Sequence, residues 1–105
     1  MAKLVFSTTD SKAAAHQLAL RLVSEGLAAC VNIIPNVSSV YKWKGEVEEA
    51  SETLLVIKTG DGRLSALLGR MRELHSYDVP EVISVSIESG LPEYLEWIDS
   101  ETREA

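Results

Sequence analysis

Two long β-rich stretches, residues 27–44 and 46–59, meet at Gly45, and this pairing constrains the fold more than any other feature. The first reads Leu-Ala-Ala-Cys-Val-Asn-Ile-Ile-Pro-Asn-Val-Ser-Ser-Val-Tyr-Lys-Trp-Lys and has no helical stripe. The second opens with polar alternation (Glu46, Glu48, Ser51) and ends in Leu54-Leu55-Val56-Ile57. Gly45 permits a tight turn between them. At ~3.3 Å per residue, strands of this length reach about 45–50 Å. A compact domain of this size has a radius of gyration near ~13 Å and a diameter of about 34 Å. A straight hairpin therefore overshoots its own domain. Either Pro35, which cannot donate to a ladder and marks an edge, bend or bulge, folds it back, or its tip pairs with another chain. A bare hairpin carrying Val37, Val40, Tyr41, Trp43 and Val47 would be an aggregation hazard. The expectation is a homo-oligomer joined partly through sheet edges.

The other elements follow from spacing. Leu4 to Thr8 reads as a buried strand. Asp10 or Ser11 can cap a helix whose apolar positions are Ala15, Leu18, Ala19, Leu22 and Val23, and Gly26 suits the left-handed residue closing it, so residues 11–26 are predicted helical. Gly60 and Gly62 end the second hairpin strand. Leu64, Leu67, Leu68, Met71 and Leu74 then mark a second amphipathic helix. His75 to Pro80 is a connection, Val82 to Ile87 a strand, and Pro92 opens a last helix with the stripe Leu91, Tyr94, Leu95 and Ile98. The order β-α-β-β-α-β plus a C-terminal helix is that of an α+β, ferredoxin-like sandwich, one domain over residues 1–105. Its helices cover one face of a four-stranded antiparallel sheet; the other face must be polar or meet something.

Composition narrows the function. The chain of 105 residues carries a formal charge of −6, a poor match for general nucleic-acid binding. Residues 1–45 hold five basic against two acidic groups, and residues 46–105 five basic against fourteen acidic, which is either a solvated acidic surface or complementary parts that meet in an oligomer. No apolar run approaches the ~20 residues of a membrane span, and the apolar start Leu4-Val5-Phe6 is too short for a signal peptide. The single cysteine excludes an internal disulfide and an all-cysteine metal cage, and makes a reducing compartment the default.

Few residues carry recognisable chemistry. Cys30 sits among apolar strand residues, where it is either a small hydrophobe or, as a thiolate, a ligand for a soft metal such as Cu(I) with partners from elsewhere. His75 closes the second helix, a position the helix dipole favours, and is also a candidate copper or zinc ligand beside Cys30. Further ligands would come from Asp78, Glu81, a neighbouring chain or water. His16 reads as a surface residue. Cys30, His75 and Asp78 could be written as nucleophile, base and orienter, but the spacing does not support it and there is no oxyanion loop, so catalysis is not expected. Gly60-Asp61-Gly62 lacks the lysine and glycine spacing of a phosphate loop. Tyr41 and Trp43, two apart on a strand, share a face and line a cleft with Tyr77, or serve core and interface packing.

Several blocks stand in order along nearly the whole chain: Leu27-Ala28-Ala29-Cys30-Val31-Asn32-Ile33-Ile34-Pro35, Ser39-Val40-Tyr41-Lys42-Trp43-Lys44-Gly45-Glu46, Lys58-Thr59, His75-Ser76-Tyr77-Asp78-Val79-Pro80-Glu81-Val82 and Tyr94-Leu95-Glu96-Trp97. Together they resemble the CutA family of divalent-cation tolerance proteins. The resemblance implies a ferredoxin-like fold, a homotrimer similar to the PII signalling proteins, a cytoplasmic location and a link to tolerance of copper and other divalent cations. Cys30 and His75 match the family positions discussed as metal ligands. Some bacterial members have another cysteine where this chain has Ser7, and Ser76 replaces the proline of the usual His-Pro-Tyr loop. Two expectations follow. One is a non-enzymatic trimer binding metal ions weakly through Cys30 and His75. The alternative is a PII-like signalling module whose inter-subunit clefts, lined by Tyr41, Trp43, Lys58, Tyr77 and Glu81, hold a small molecule or partner protein.

Overall fold

The computed structural model describes residues 1–103. In chain order the elements are β1 (Lys3–Thr9), α1 (Lys12–Ser24), β2 (Cys30–Trp43), β3 (Glu46–Thr59), α2 (Leu64–Leu74), β4 (Val82–Ser86) and α3 (Pro92–Thr102), with a short 3-10 turn at Asp61–Arg63 before α2. The strands form one antiparallel sheet in the order β2-β3-β1-β4, the ferredoxin-like arrangement. Ser11 caps α1 by accepting the Ala14 N–H at 3.0 Å, and Gly26 takes φ +72 just past its end. The helix stops at Ser24, short of the expected 26, because Leu27 and Ala28 turn back to donate to the Leu22 carbonyl. Those two residues are buried in the core, so β2 starts at Cys30 rather than Leu27.

The core lies between the helices and one face of the sheet. Val5, Leu55 and Ile57 from the strands meet Ala15, Leu18, Leu22, Leu67 and Met71 from α1 and α2. Fully burying each large side chain contributes roughly 1.5–3 kcal/mol. A second point of attachment holds α3. Thr102 Oγ1 accepts the Gly60 N–H at 3.1 Å and donates to the Ile98 carbonyl at 2.7 Å. Of the stripe expected to pack α3, Ile98 is fully buried, whereas Leu91 and Tyr94 remain exposed. On the outside, Arg70 of α2 grips Glu25 beyond α1 through two bonds of 2.8 and 2.9 Å.

The hairpin does outrun the sheet. β1 pairs with β3 only from Thr53 to Thr59, so Glu46–Glu52 has β2 as its single strand partner. The molecule is accordingly 44 Å long and only 26 by 21 Å across. Lys44 and Gly45 both adopt positive φ, the pairing that a two-residue turn matched to strand twist requires.

Pro35 lies in a bulge. Ile34 opposes Leu54 but Val37 opposes Glu52, so β2 holds one residue more than β3 across this interval, and Asn36 absorbs it at φ +63. Opposed residues share a face, and side chains alternate along a strand. Before the bulge the even-numbered residues Cys30, Asn32 and Ile34 face away from the helices; after it the odd-numbered Tyr41 and Trp43 do. That helix-free face also carries Leu4, Phe6, Leu54, Val56, Ile83 and Val85. It is apolar, and Ile34, Ile83 and Val85 are each about half exposed (45 %, 57 % and 48 %).

Candidate functional site

Cys30 is half-buried on the helix-free face, opposite Lys58, which in turn lies opposite Leu4. The Lys58 ammonium donates to Asn32 Oδ1 and sits 3.8 Å from Cys30 Sγ. The nearest charged partner of the thiol is thus a cation. Ser7 is fully buried on the opposite, core face, so a thiol at that position would not meet Cys30 across the sheet.

His75 is bound elsewhere. Its Nε2 lies 2.7 Å from the Thr8 carbonyl oxygen, and its Nδ1 accepts the Tyr77 N–H at 3.1 Å. A carbonyl only accepts and an amide N–H only donates, so these partners assign a neutral ring with its proton on Nε2. Both nitrogens are occupied, and the ring also packs on Tyr77 with centroids 4.7 Å apart. Thr8 is four residues along β1 from the level of Cys30, which is ~13 Å, and two strands across, ~10 Å. Metal–ligand bonds to nitrogen and sulfur are roughly 2.0–2.3 Å. Within one chain, then, the two candidate metal ligands are not brought together. Among the described residues no group of three His, Cys, Asp or Glu side chains is placed to hold a metal ion. A copper site built on this pair does not fit a single subunit.

Four of the five residues expected to line a cleft do converge. Tyr41, Trp43, Tyr77 and Glu81 border one open cleft of about 730 Å³ along the projecting hairpin, together with Thr8, Ser39, Glu52, Asp78 and Val79. Lys58 is the exception. It lies at the Leu4 end of β3, on the other side of Glu52 from Tyr41 and Trp43, and is not among the cleft's lining residues.

Each wall has a local cause. The bulge at Pro35–Asn36 turns Tyr41 and Trp43 onto the face of Glu52. The connection after α2 is tied down by His75, which fixes the backbone at Tyr77. The Tyr77 hydroxyl then donates to Glu52 Oε2 at 2.8 Å. Burial, foremost, and the adjoining Glu52 and Asp10 carboxylates push the Tyr77 phenol well above the usual tyrosine range, which keeps it a donor. Glu52 escaped the sequence reading. It stands in a polar stretch of β3 with no local signal, and only the docking of the 75–81 connection against the hairpin marks it.

A family model described as "CutA1 divalent ion tolerance protein" matches residues 3–101. Among curated relatives, the rice "Protein CutA 1, chloroplastic" is 47 % identical over 97 % of this chain and 58 % of its own length. The Thermus thermophilus "Divalent-cation tolerance protein CutA" is 43 % identical over 97 % of this chain and 99 % of its own. The crystal structure of CutA1 from Oryza sativa superposes with a TM-score of 0.95 at 46 % identity, covering 99 % of this chain and 95 % of that one. The chain spans a little over half the length of its plant relatives (58 % and 55 %) and nearly all of the Thermus protein (99 %).

Proposed function

Because the chain belongs to the CutA1 divalent ion tolerance family, we propose that it acts in tolerance of divalent cations as a homotrimer that catalyses no reaction. The observation that carries the assembly is the uncovered apolar face of the sheet, running from Leu4 and Phe6 to Ile83 and Val85 beside a hairpin that outruns its own domain. Leaving such a face in water is costly, and a second copy offers the same apolar surface in return. The separation of Cys30 from His75 supports the non-enzymatic reading, since a nucleophile and its base must lie within hydrogen-bond reach. It also shapes the metal part of the proposal. Copper or another divalent cation bound weakly by Cys30 would draw its remaining ligands from a neighbouring subunit, because the His75 nitrogens are already engaged. The free thiol is compatible with a cytoplasmic setting.

Deleting the gene in its source organism should lower the concentration of copper or zinc salts that stops growth, and the intact gene should restore it; unaltered sensitivity would remove the tolerance role. Sedimentation at micromolar concentration should give three times the 11.5 kDa chain mass. A monomer would end the trimer reading. Calorimetric titration with Cu(II) or Zn(II) alone should lose affinity in Cys30→Ser; equal affinity in that variant would take Cys30 out of any metal site.

A further inference from the structure

We propose that a second cleft, between α1 and the end of α2, binds a small monovalent carboxylate with a short apolar tail. This inference is independent of the divalent-cation reading. The cleft offers about 230 Å³ and lies in the helix layer, on the side of the sheet away from the uncovered apolar face. Ala14, Gln17, Leu18 and Arg21 recur at helical spacing, so they share one side of α1 and form one wall. The end of α2 and the residues just past it, Leu74 to Ser76, form the other.

The chain carries 16 acidic side chains, yet among the described residues no carboxylate lines this cleft. Arg21 is the one charged group on its walls, since the partners of His75 hold that ring neutral. Arg21 bonds Glu25 through Nε alone, at 3.1 Å, and Glu25 also takes two bonds from Arg70. Among the described residues the two terminal nitrogens of Arg21 have no hydrogen-bond partner, nor have the Gln17 amide and the Ser76 hydroxyl. A guanidinium matches a carboxylate in geometry and charge, and the amide and hydroxyl add further donors. Leu18 and Leu74 give an apolar floor that suits a short hydrocarbon tail and penalises a phosphate, which would lose water there. The partial negative charge at the C-terminal end of α2 also weighs against a divalent anion, and it limits the affinity for a monovalent one. The volume lies below the roughly 300–1,000 Å³ of drug-sized sites and fits an acid of a few carbon atoms.

A free acid and the C-terminus of another protein offer the same carboxylate, and the test separates them. Butyrate is titrated into the isotope-labelled protein at constant pH while backbone amide resonances are followed by NMR, with butyramide and inorganic phosphate as controls. Butyrate should shift the amides of Leu18, Arg21 and Ser76 saturably, with a Kd at or below about 5 mM that rises with salt. Butyramide and phosphate should each bind at least about fivefold more weakly. Arg21→Gln leaves Glu25 its two bonds from Arg70, and Ala14→Leu fills space on the α1 wall. Each should weaken butyrate at least about fivefold while the amide resonances of the sheet stay in place. If the natural occupant is a free acid, an acetylated tripeptide ending in valine binds no better than butyrate. If it is a chain end, the tripeptide binds more tightly and its C-terminal amide does not. Failure of both butyrate and the tripeptide to saturate, equal binding of butyramide or phosphate, or undiminished affinity in both variants overturns the proposal.

Discussion

The hydroxyl of Tyr77 donates to Glu52 Oε2 at 2.8 Å, joining the connection after α2 to the projecting half of β3. The two residues are 25 apart in sequence. The bond closes one side of the cleft and orients a carboxylate toward it.

Removing that bond should be measurable at high pH. The folded phenol binds its proton more tightly than the unfolded one. Its contribution is therefore fully present below the ordinary tyrosine range near ~10 and is lost as pH rises through the higher folded value. Urea unfolding of wild type should show stability falling above pH ~10, with a shallower fall in Tyr77→Phe. At neutral pH the substitution should cost about 1–2 kcal/mol. Parallel pH profiles for the two proteins would show that the bond does not hold the phenol in its protonated form.

Glu25 makes the opposite prediction. Its bond to Arg70, first, and its pairing with Arg21 hold the carboxyl down at about 2. The stabilisation is present above the usual carboxylate range and disappears as pH falls through about 2. Carbonyl-carbon NMR should find Glu25 still ionised at pH ~3, where ordinary glutamates with a pKa near ~4.3 are protonated. In Arg70→Ala its midpoint should move up toward theirs.

His75 should behave as a structural residue. In His75→Ala the Tyr77 N–H loses its acceptor and the Thr8 carbonyl its donor. Each part-buried group left unpaired costs on the order of 1 kcal/mol, the low end of the penalty for a fully buried one. For a domain of this size that corresponds to a fall in Tm of at least ~4 °C. A Tm equal to wild type would mean that water replaces both bonds.

The bulge can be tested at Asn36, whose φ of +63 suits asparagine or glycine and strains a β-branched residue. Asn36→Gly should change stability by less than about 1 kcal/mol, and Asn36→Val should cost roughly 1–2 kcal/mol. Deleting Asn36 would restore plain alternation and turn Tyr41 and Trp43 to the other face. A red or blue shift in Trp43 emission, in the Trp97→Phe background, would report that turn; an unshifted spectrum would mean that the tip re-registers instead.

Much of the fold was legible because its causes are local. The Ser11 cap, the Gly26 stop and the Gly45 turn each follow from one residue and its neighbours, and the amphipathic stripes follow from a 3.6-residue period. Pro35 signalled a bulge or bend; of the residues expected in an inter-subunit cleft, Tyr41, Trp43, Tyr77 and Glu81 border one cleft within the chain and Lys58 does not. The pairing of Cys30 with His75 was a different kind of inference. It joined two reactive side chains by type alone, and type carries no distance.

From the sequence by itself come the element order, the hairpin too long for its domain, and the requirement that the helix-free sheet face be polar or meet something. These depend on propensity, periodicity and length, which act over a few residues. Only the tertiary structure decided which side chains meet: Lys58 beside Cys30 rather than in the cleft, His75 between Thr8 and Tyr77, and Glu52 under the Tyr77 hydroxyl. The physical reason is strand register. Side chains alternate with a period of two, so a single extra residue at the bulge exchanges the faces of everything beyond it, and the sequence pattern alone does not say where the partner strand counts from.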